Sequence, residues 1–143
     1  MGKKGIVVLG STGSVGRNTL AVLEEFPDSF RVCALTAQHN WRLLAAQARR
    51  WRPEMVVIGP EHVAALQEAL AGEPIAVLPA PEGLPAAAAH PEAELVVAAI
   101  VGVAGLLPTL AAIRAGKDVA LANKETLVAA GAIVTAEARR HGV

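Results

Sequence analysis

Short apolar runs alternate along the chain with longer amphipathic stretches, a pattern that predicts repeated β-α units. The runs predict six strands, at residues 5–9, 31–35, 54–58, 75–78, 95–100 and 118–122. The stretches between them predict helices at 18–26, 40–51, 61–70, 106–115 and about 126–140, the second with Asn40 as its N-cap. Residues 80–91 are rich in Ala and Pro and predict a short surface helix between turns.

Composition narrows the arrangement of these elements. Hydrophobic residues make up 53% of the 143 residues, and most of them are Ala, Val, Leu and Ile. Such residues suit parallel strands that are buried on both faces and covered by helices. Each connection is long enough for a right-handed crossover. We therefore predict an α/β fold over residues 1–143: one domain with a Rossmann-like, doubly wound, mainly parallel sheet and helices on both faces.

Charge and hydropathy exclude several classes of protein. Thirteen basic and thirteen acidic residues cancel, and aromatic residues make up only 3% of the chain, so neither a basic surface nor a base-stacking surface for nucleic acid is expected. The longest apolar stretch, 95–107, is shorter than the roughly 20 residues that cross a bilayer. The first strand begins almost at the N-terminus, so we expect no signal peptide and a cytoplasmic protein.

A glycine-rich loop follows the first predicted strand directly. Gly10, Gly13 and Gly16 are spaced Gly-x-x-Gly-x-x-Gly, with the hydroxyl residues Thr12 and Ser14 between them. Glycines allow a tight turn and close approach of a pyrophosphate, and the following helix offers N–H groups and the positive end of its dipole. A tight turn without ligand is the alternative. Three glycines with two hydroxyls favour a nucleotide.

The end of the second predicted strand indicates which dinucleotide. NAD-specific domains carry an Asp or Glu there for the ribose 2′-hydroxyl. Here Leu35 is followed by Thr, Ala, Gln38, His39 and Asn40, with no carboxylate. The absence of an acid admits a 2′-phosphate, which Gln38, His39 and Asn40 are placed to contact. We therefore expect NADPH, although His39 can also be read as a solvated loop histidine.

Two later segments predict the other wall of the site. Residues 98–105 follow the fifth strand with small side chains and two glycines, which let a ligand approach the backbone or simply pack strand against helix. Asn123, Lys124 and Glu125 follow the sixth strand and open a helix. We expect Asn123 and Glu125 to bond the cofactor ribose and Lys124 to bind an anionic or hydroxylated substrate. An N-cap at Asn123 with a solvated first turn is the alternative.

Cys33 is the chain's one cysteine, so no intramolecular disulfide is possible. It lies in an apolar run, where a small buried hydrophobe is expected rather than a nucleophile.

The chain resembles the 1-deoxy-D-xylulose 5-phosphate reductoisomerases, NADPH-dependent enzymes of the non-mevalonate isoprenoid pathway. The residues that carry the resemblance are 10–16, 30–32, 98–102, 104–116 and 121–128, and the last two segments are the most specific. The resemblance implies that Thr12, Gly13, Ser14 and Val15 contact the pyrophosphate. It also implies that this chain is part of a longer family member.

The same resemblance implies roles for polar residues at both ends of the cofactor. Asn40 would lie near the adenosine 2′-phosphate, Asn123 and Glu125 would contact the cofactor, and Lys124 would contact the substrate. Family members often have Gly and a basic residue where this chain has Gln38 and His39, and His39 would replace part of that positive charge.

The implied reaction rearranges 1-deoxy-D-xylulose 5-phosphate and reduces the resulting aldehyde with NADPH to 2-C-methyl-D-erythritol 4-phosphate. A bound Mg or Mn ion takes part, with ligands just beyond the end of this chain. The resemblance also suggests a homodimer. We therefore expect this chain to bind NADPH without catalysing turnover.

Two other classes of protein fit the glycine loop. NADP-dependent aldehyde and acyl-phosphate reductases share the spacing but need a nucleophilic cysteine, for which Cys33 is poorly placed. A non-catalytic nucleotide sensor would bind NAD(H) or another nucleotide and give Lys124 no role in any reaction.

Overall fold

The computed structural model describes residues 2–122 and 124–143, with the side chains of 103 and 124–130 left aside. Six strands alternate with helices. The strands are β1 (Lys4–Leu9), β2 (Phe30–Thr36), β3 (Met55–Ile58), β4 (Ala76–Pro79), β5 (Leu95–Ala98) and β6 (Asp118–Leu121). The α-helices are α1 (Ser14–Leu23), α2 (Trp41–Trp51), α3 (Val63–Ala69), α4 (Leu84–Ala88), α5 (Leu106–Arg114) and α6 (Lys124–His141). Short 3₁₀ turns at Pro60–His62 and Val103–Gly105 precede α3 and α5.

All six strands form one parallel sheet in the order β4-β3-β2-β1-β5-β6. The chain builds the sheet outward from β1 to β4, then returns to the other side of β1 with β5. The strand order therefore reverses between β1 and β5. Loops after these two strands diverge to opposite faces, and the crevice between them is where open α/β sheets bind ligands.

The two faces of the sheet bury separate apolar clusters, because neighbouring side chains of a strand point to opposite sides. In β1, Ile6 and Val8 pack against the side of α1, α2 and α3, whereas Val7 and Leu9 pack against the side of α4 and α5. A third, smaller cluster joins α5 to α6 through Ile113 and Val134. The predicted doubly wound architecture with helices on both faces is confirmed.

Each predicted strand is present, and the helix boundaries carry the main differences. Helix α1 begins at Ser14 rather than at residue 18, so Gly16 lies inside its first turn. Helix α6 begins at Lys124, two residues before the predicted start. The α2 prediction is confirmed in detail, since the Asn40 Oδ1 accepts a hydrogen bond from the Leu43 N–H at 3.1 Å.

The predicted short helix within residues 80–91 is present as α4, but only part of it lies at the surface: Pro85 and Ala86 are exposed. Ala87 and Ala88 of α4 are completely buried in the cluster beneath β1 and β2. Alanine is small enough for α4 to approach the sheet closely, so its Ala-rich composition reflects packing rather than exposure. The helix therefore covers the sheet beside the crevice.

No described helix combines the length and apolarity needed to cross a membrane.

Candidate functional site

A cavity of about 460 Å³ opens at the carboxyl ends of the strands, in the crevice between the β1 and β5 loops. The glycine loop supplies one wall, and the segment after β5 together with the start of α5 supplies the opposite wall. Helix α4 and the residues before it close a third side. The lining residues are Gly10, Thr12, Gly13, Thr36, Ala37, Gln38, Ala80, Pro81, Leu84, Pro85, Ala99, Ile100, Val101, Ala104, Leu107 and Pro108.

The glycine loop needs its first and third glycines for close packing. Gly10 has φ +81°, and a Cβ there would lie 2.8 Å from the Ala99 carbonyl oxygen. A Cβ on Gly16 would lie 2.2 Å from the Gly10 carbonyl oxygen, because α1 begins inside the turn. Gly13 is different: its nearest neighbour would be 3.8 Å away. The protein's own packing therefore does not require the middle glycine.

Thr36, the last residue of β2, anchors the start of the loop. Its buried Oγ1 accepts a hydrogen bond from the Gly10 N–H at 2.9 Å, and its carbonyl oxygen accepts one from the Ser11 N–H at 2.8 Å. Thr36 is not among the site residues predicted from the sequence. A hydroxyl residue ending a strand next to a phosphate loop is the signal that could have identified it.

The loop residues predicted to contact pyrophosphate differ in their position relative to the cavity. Thr12 and Gly13 line the cavity. Ser14 and Val15 form the first turn of α1 and are exposed. Gly13 is the N-cap of α1 with φ −77° and ψ 177°, and no side chain caps the helix. The first N–H groups of α1 are thus available to an anion.

Of the three residues predicted to meet a 2′-phosphate, Gln38 alone lines the cavity. Its carbonyl oxygen accepts a hydrogen bond from the Gly59 N–H at 3.1 Å, which ties the β2 loop to the β3 loop. The side-chain oxygen of Asn40 accepts the hydrogen bond that caps α2. His39 is exposed and lies close to the 3₁₀ turn that precedes α3.

His39 meets an acidic residue that the sequence analysis did not consider. The Glu61 Oε1 lies 3.5 Å from the His39 Nδ1 and 3.5 Å from the His62 Nε2, and the two imidazole rings are edge to face at 6.0 Å. The end of β2 carries no carboxylate, as the sequence analysis noted, but the neighbouring loop brings one close. Since parallel strands end at one edge, loop residues after β3 were the place to look.

The wall opposite the glycine loop is apolar and open. Ala99, Ile100, Val101 and Ala104 line the cavity after β5 ends at Ala98. Val101 is 84% exposed and Leu107 is 71% exposed, which is unusual for large apolar side chains. The predicted ligand-facing role of residues 98–105 is consistent with this position.

The segment predicted to complete this wall is described only in part. Strand β6 ends at Leu121, and Asn123 lies outside the described residues. Lys124 and Glu125 open α6, and their side chains are also outside the described part of the chain.

A second group of charged residues lies at the opposite edge of the sheet. Arg31 contacts Glu92 at 2.7 Å and Glu54 at 3.5 Å, and the nearly buried His90 Nε2 is 2.9 Å from the Glu54 Oε2. A hydrogen bond with Glu54, followed by the Arg31 guanidinium, lowers the pKa of Glu92 below its usual range. These residues precede or begin strands, so they stabilise the sheet's amino edge, away from the cavity.

Cys33 is fully buried within β2 and does not line the cavity. Burial raises the pKa of its thiol, so the thiolate that a nucleophile requires is disfavoured. The expectation of a buried structural cysteine is confirmed.

Comparisons with known proteins point in one direction. A model of the 1-deoxy-D-xylulose 5-phosphate reductoisomerase family matches residues 6–131. Proteins of that name from Synechococcus sp. (strain CC9605) and Rhodospirillum centenum are each 54% identical to this chain, and the alignments cover 97% and 99% of it. The chain spans about a third of these relatives, 35% of each.

Solved structures agree with the sequence relatives. A DOX-P reductoisomerase in complex with NADPH, fosmidomycin and magnesium superposes with a TM-score of 0.94 at 41% identity, covering 97% of this chain and 35% of that one. The enzyme from Zymomonas mobilis in complex with NADPH also gives 0.94, at 45% identity, covering 98% and 37%. A homoserine dehydrogenase from Thiobacillus denitrificans, at 23% identity and a TM-score of 0.63, shares the fold.

Proposed function

The chain belongs to the 1-deoxy-D-xylulose 5-phosphate reductoisomerase family, and we propose that residues 1–143 form an NADPH-binding domain of such an enzyme. The observation that carries the proposal is the glycine loop at the point where the strand order reverses. There, the uncapped start of α1 adjoins a cavity of about 460 Å³. Two structural relatives at 41% and 45% identity are complexes with NADPH.

The fit to NADPH rests on the loop's shape and chemistry. Gly13 leaves open space where a Cβ would otherwise stand, so a pyrophosphate can approach the backbone. Thr12 and Ser14 supply hydroxyl donors, and the N–H groups at Ser14 and Val15 begin the helix. The positive end of the α1 dipole favours the phosphate charge.

The adenosine end is proposed to lie beside the loop after β2. Among the described residues that line the cavity none is acidic, which favours a 2′-phosphate on that surface. Gln38 offers an amide, Asn40 lies at the start of α2, and His39 offers an imidazole between them. Glu61 places a carboxylate beside this imidazole, with its Oε1 3.5 Å from the His39 Nδ1 and 3.5 Å from the His62 Nε2.

The nicotinamide end is proposed to lie along residues 99–104, with Asn123 and Glu125 contacting the cofactor and Lys124 contacting the substrate. NADPH supplies a hydride for reduction of the substrate's carbonyl carbon. The apolar side chains of Val101 and Leu107 flank this end and would exclude water from the reacting atoms.

Magnesium accompanies NADPH in one solved relative. In this chain, none of the described cavity-lining residues is a carboxylate, and the described His and Glu clusters lie beside α3 and at the amino edge of the sheet. The described residues therefore do not fit a magnesium site at the cavity, and we derive no step through the metal. Metal ligands outside this chain and a homodimer stay predictions from the family resemblance, and a cytoplasmic location stays a prediction from the sequence.

The whole reaction, conversion of 1-deoxy-D-xylulose 5-phosphate to 2-C-methyl-D-erythritol 4-phosphate, is proposed for the longer protein. This chain alone should bind NADPH without turnover. Incubation with substrate, NADPH and Mg²⁺, followed by NADPH absorbance at 340 nm, should give no decay above background. Sustained substrate-dependent oxidation would contradict this expectation.

Cofactor binding is tested by titrating the purified chain with NADPH and with NADH in a calorimeter. We expect NADPH to bind at least about tenfold more tightly, a difference of about 1.4 kcal/mol. Comparable affinities would contradict the NADPH preference, and binding of neither would contradict the whole proposal. His39→Asn should weaken NADPH but not NADH, whereas His141→Asn at the end of α6 serves as the matched control.

The acyl-phosphate reductase alternative is not favoured, because the family model that matches residues 6–131 is that of the reductoisomerases. Cys33 is buried inside β2 with a raised pKa, which disfavours it as the nucleophile that such a reductase needs. A nucleotide sensor would instead bind NAD(H) or another nucleotide tightly in the same titrations and would act through a partner protein.

A further inference from the structure

A closed pair of buried hydrogen bonds joins the glycine loop to helix α2. The Gln47 Nε2 donates to the Ser11 carbonyl oxygen at 2.9 Å, and the Ser11 Oγ donates to the Gln47 Oε1 at 2.7 Å. Ser11 is completely buried and Gln47 is 9% exposed. Both ends of the Gln47 amide are therefore used by one residue of the loop.

The position of Ser11 makes this pair relevant to ligand binding. Ser11 follows Gly10 in the loop, and its own N–H donates to the Thr36 carbonyl oxygen at 2.8 Å. Both backbone groups and the hydroxyl of Ser11 are thus held inside the protein. Its hydroxyl is turned away from the cavity and does not belong with those of Thr12 and Ser14.

Gln47 occupies an equally informative position on α2. It lies seven residues, about two helical turns, after Asn40, which caps the helix at the loop holding Gln38 and His39. Helix α2 therefore contacts two parts of the site. Gln47 binds the glycine loop, and the N-terminus of α2 joins the loop after β2. The other residues of this buried face, Leu44, Ala45 and Ala48, are apolar. An unpaired amide there would be costly, which makes the pairing specific.

We propose that Gln47 is a positioning residue that holds the glycine loop in its phosphate-binding shape and couples it to the loop proposed to meet the 2′-phosphate. The inference rests on the proposed function and adds a residue that touches neither the cavity nor, by this proposal, the cofactor. Without the Gln47 amide, the Ser11 carbonyl oxygen loses its donor, and only the Ser11 N–H and hydroxyl still hold this residue, through Thr36. The N–H groups that follow Ser11 must then become ordered when NADPH binds, and the free-energy cost of this ordering lowers the affinity.

Three variants test the inference in the chain itself. Gln47→Met keeps a side chain of similar length but removes the amide. Gln47→Glu keeps an acceptor for the Ser11 hydroxyl but has no donor for the Ser11 carbonyl oxygen. Ser11→Ala removes only the Ser11 hydroxyl. Gln67→Met, on the exposed surface of α3, is the matched control. Dissociation constants for NADPH and NADH are measured by calorimetry at a temperature where circular dichroism shows each variant folded.

We expect Gln47→Met to raise the NADPH dissociation constant about tenfold and the NADH constant less, so that the NADPH preference falls. Ser11→Ala should do the same in smaller measure. The double variant Ser11→Ala/Gln47→Met should resemble Gln47→Met, because both changes remove one connection. Gln67→Met should match the wild type.

A purely structural role for Gln47 would lower the melting temperature while leaving the affinity of the folded protein and the NADPH preference unchanged. Dissociation constants within twofold of the wild type in folded Gln47→Met would overturn the inference. Should that variant fail to fold, Ser11→Ala decides in the same way. A wild-type chain that binds no NADPH would instead refute the proposed function, so the two failures are distinguishable.

Discussion

Gly13→Ala separates the needs of the fold from the needs of a ligand in the glycine loop. A Cβ at this position would have the Gly10 carbonyl oxygen at 3.8 Å as its nearest neighbour, an ordinary van der Waals contact. The backbone angles, φ −77° and ψ 177°, suit alanine as well as glycine. The folded structure therefore accepts the extra methyl group.

The expected stability change is small because two effects oppose each other. Alanine restricts the unfolded chain and stabilises by about 0.4–1 kcal/mol. Alanine is also a poorer N-cap than glycine, and Gly13 is the N-cap of α1, which costs a comparable amount, up to about 1 kcal/mol. The net change in the free energy of unfolding should thus stay within about 1 kcal/mol.

The effect on NADPH should be large by comparison. The added Cβ would stand on the open side of the loop, where the pyrophosphate is proposed to approach the backbone. We expect the dissociation constant to rise at least about tenfold, or about 1.4 kcal/mol. Urea unfolding measures the first quantity and calorimetric titration with NADPH measures the second.

Gly16→Ala is the contrasting variant. Its Cβ would lie 2.2 Å from the Gly10 carbonyl oxygen and 2.6 Å from the Ser11 Cα, so the loop must open. We expect a stability loss of about 3 kcal/mol or more. Wild-type NADPH affinity in Gly13→Ala would refute the placement of the pyrophosphate, and unfolding of Gly13→Ala would refute the described loop geometry.

Three further predictions concern stability. Asn40→Ala should lower the free energy of unfolding by about 1 kcal/mol through loss of the α2 cap, whereas Asn40→Ser should keep it; equal stabilities in urea would contradict the cap. Leu44→Ala, at a fully buried site, should cost about 2–5 kcal/mol in the same assay, and a loss under 1 kcal/mol would contradict the described core. The pKa of Glu92 is lower in the folded protein than in the unfolded chain, and Glu92 forms an ion pair with Arg31. The ionised carboxylate therefore stabilises the folded state at pH values above the ordinary carboxyl pKa. This contribution is lost as the pH falls through the lowered pKa. Urea midpoints should therefore depend less on acid pH in Glu92→Gln than in the wild type or in the exposed control Glu68→Gln, and identical pH profiles would contradict the pairing.

Local signals account for the elements that sequence analysis predicted well. The central strands β1, β2, β3 and β5 are mostly buried, so each appears in the sequence as a continuous apolar run. The edge strands β4 and β6 are partly exposed, but their short apolar runs were also recognisable. The start of a helix was harder to predict where the preceding loop and the helix share residues. Gly16 serves both the turn and the first turn of α1, and glycine carries no helix signal of its own.

The candidate site divides in the same way. Gly10 and Gly13 were recognisable because the chemistry of a phosphate loop lies within a few consecutive residues. Thr36, Glu61 and Gln47 were missed, since each acts on a residue at least 22 positions away in the chain. Nothing in the neighbours of Gln47 distinguishes it from an ordinary helical glutamine.

The sequence by itself thus determined the alternation of strands and helices, the phosphate loop and the family, because apolar periodicity and glycine spacing are local properties. Only the tertiary structure decided which partners those segments meet. It buried α4 against the sheet, brought Glu61 beside His39 and closed the amide of Gln47 onto Ser11. The physical reason is that parallel strands gather their carboxyl ends at one edge, where loops distant in sequence become neighbours.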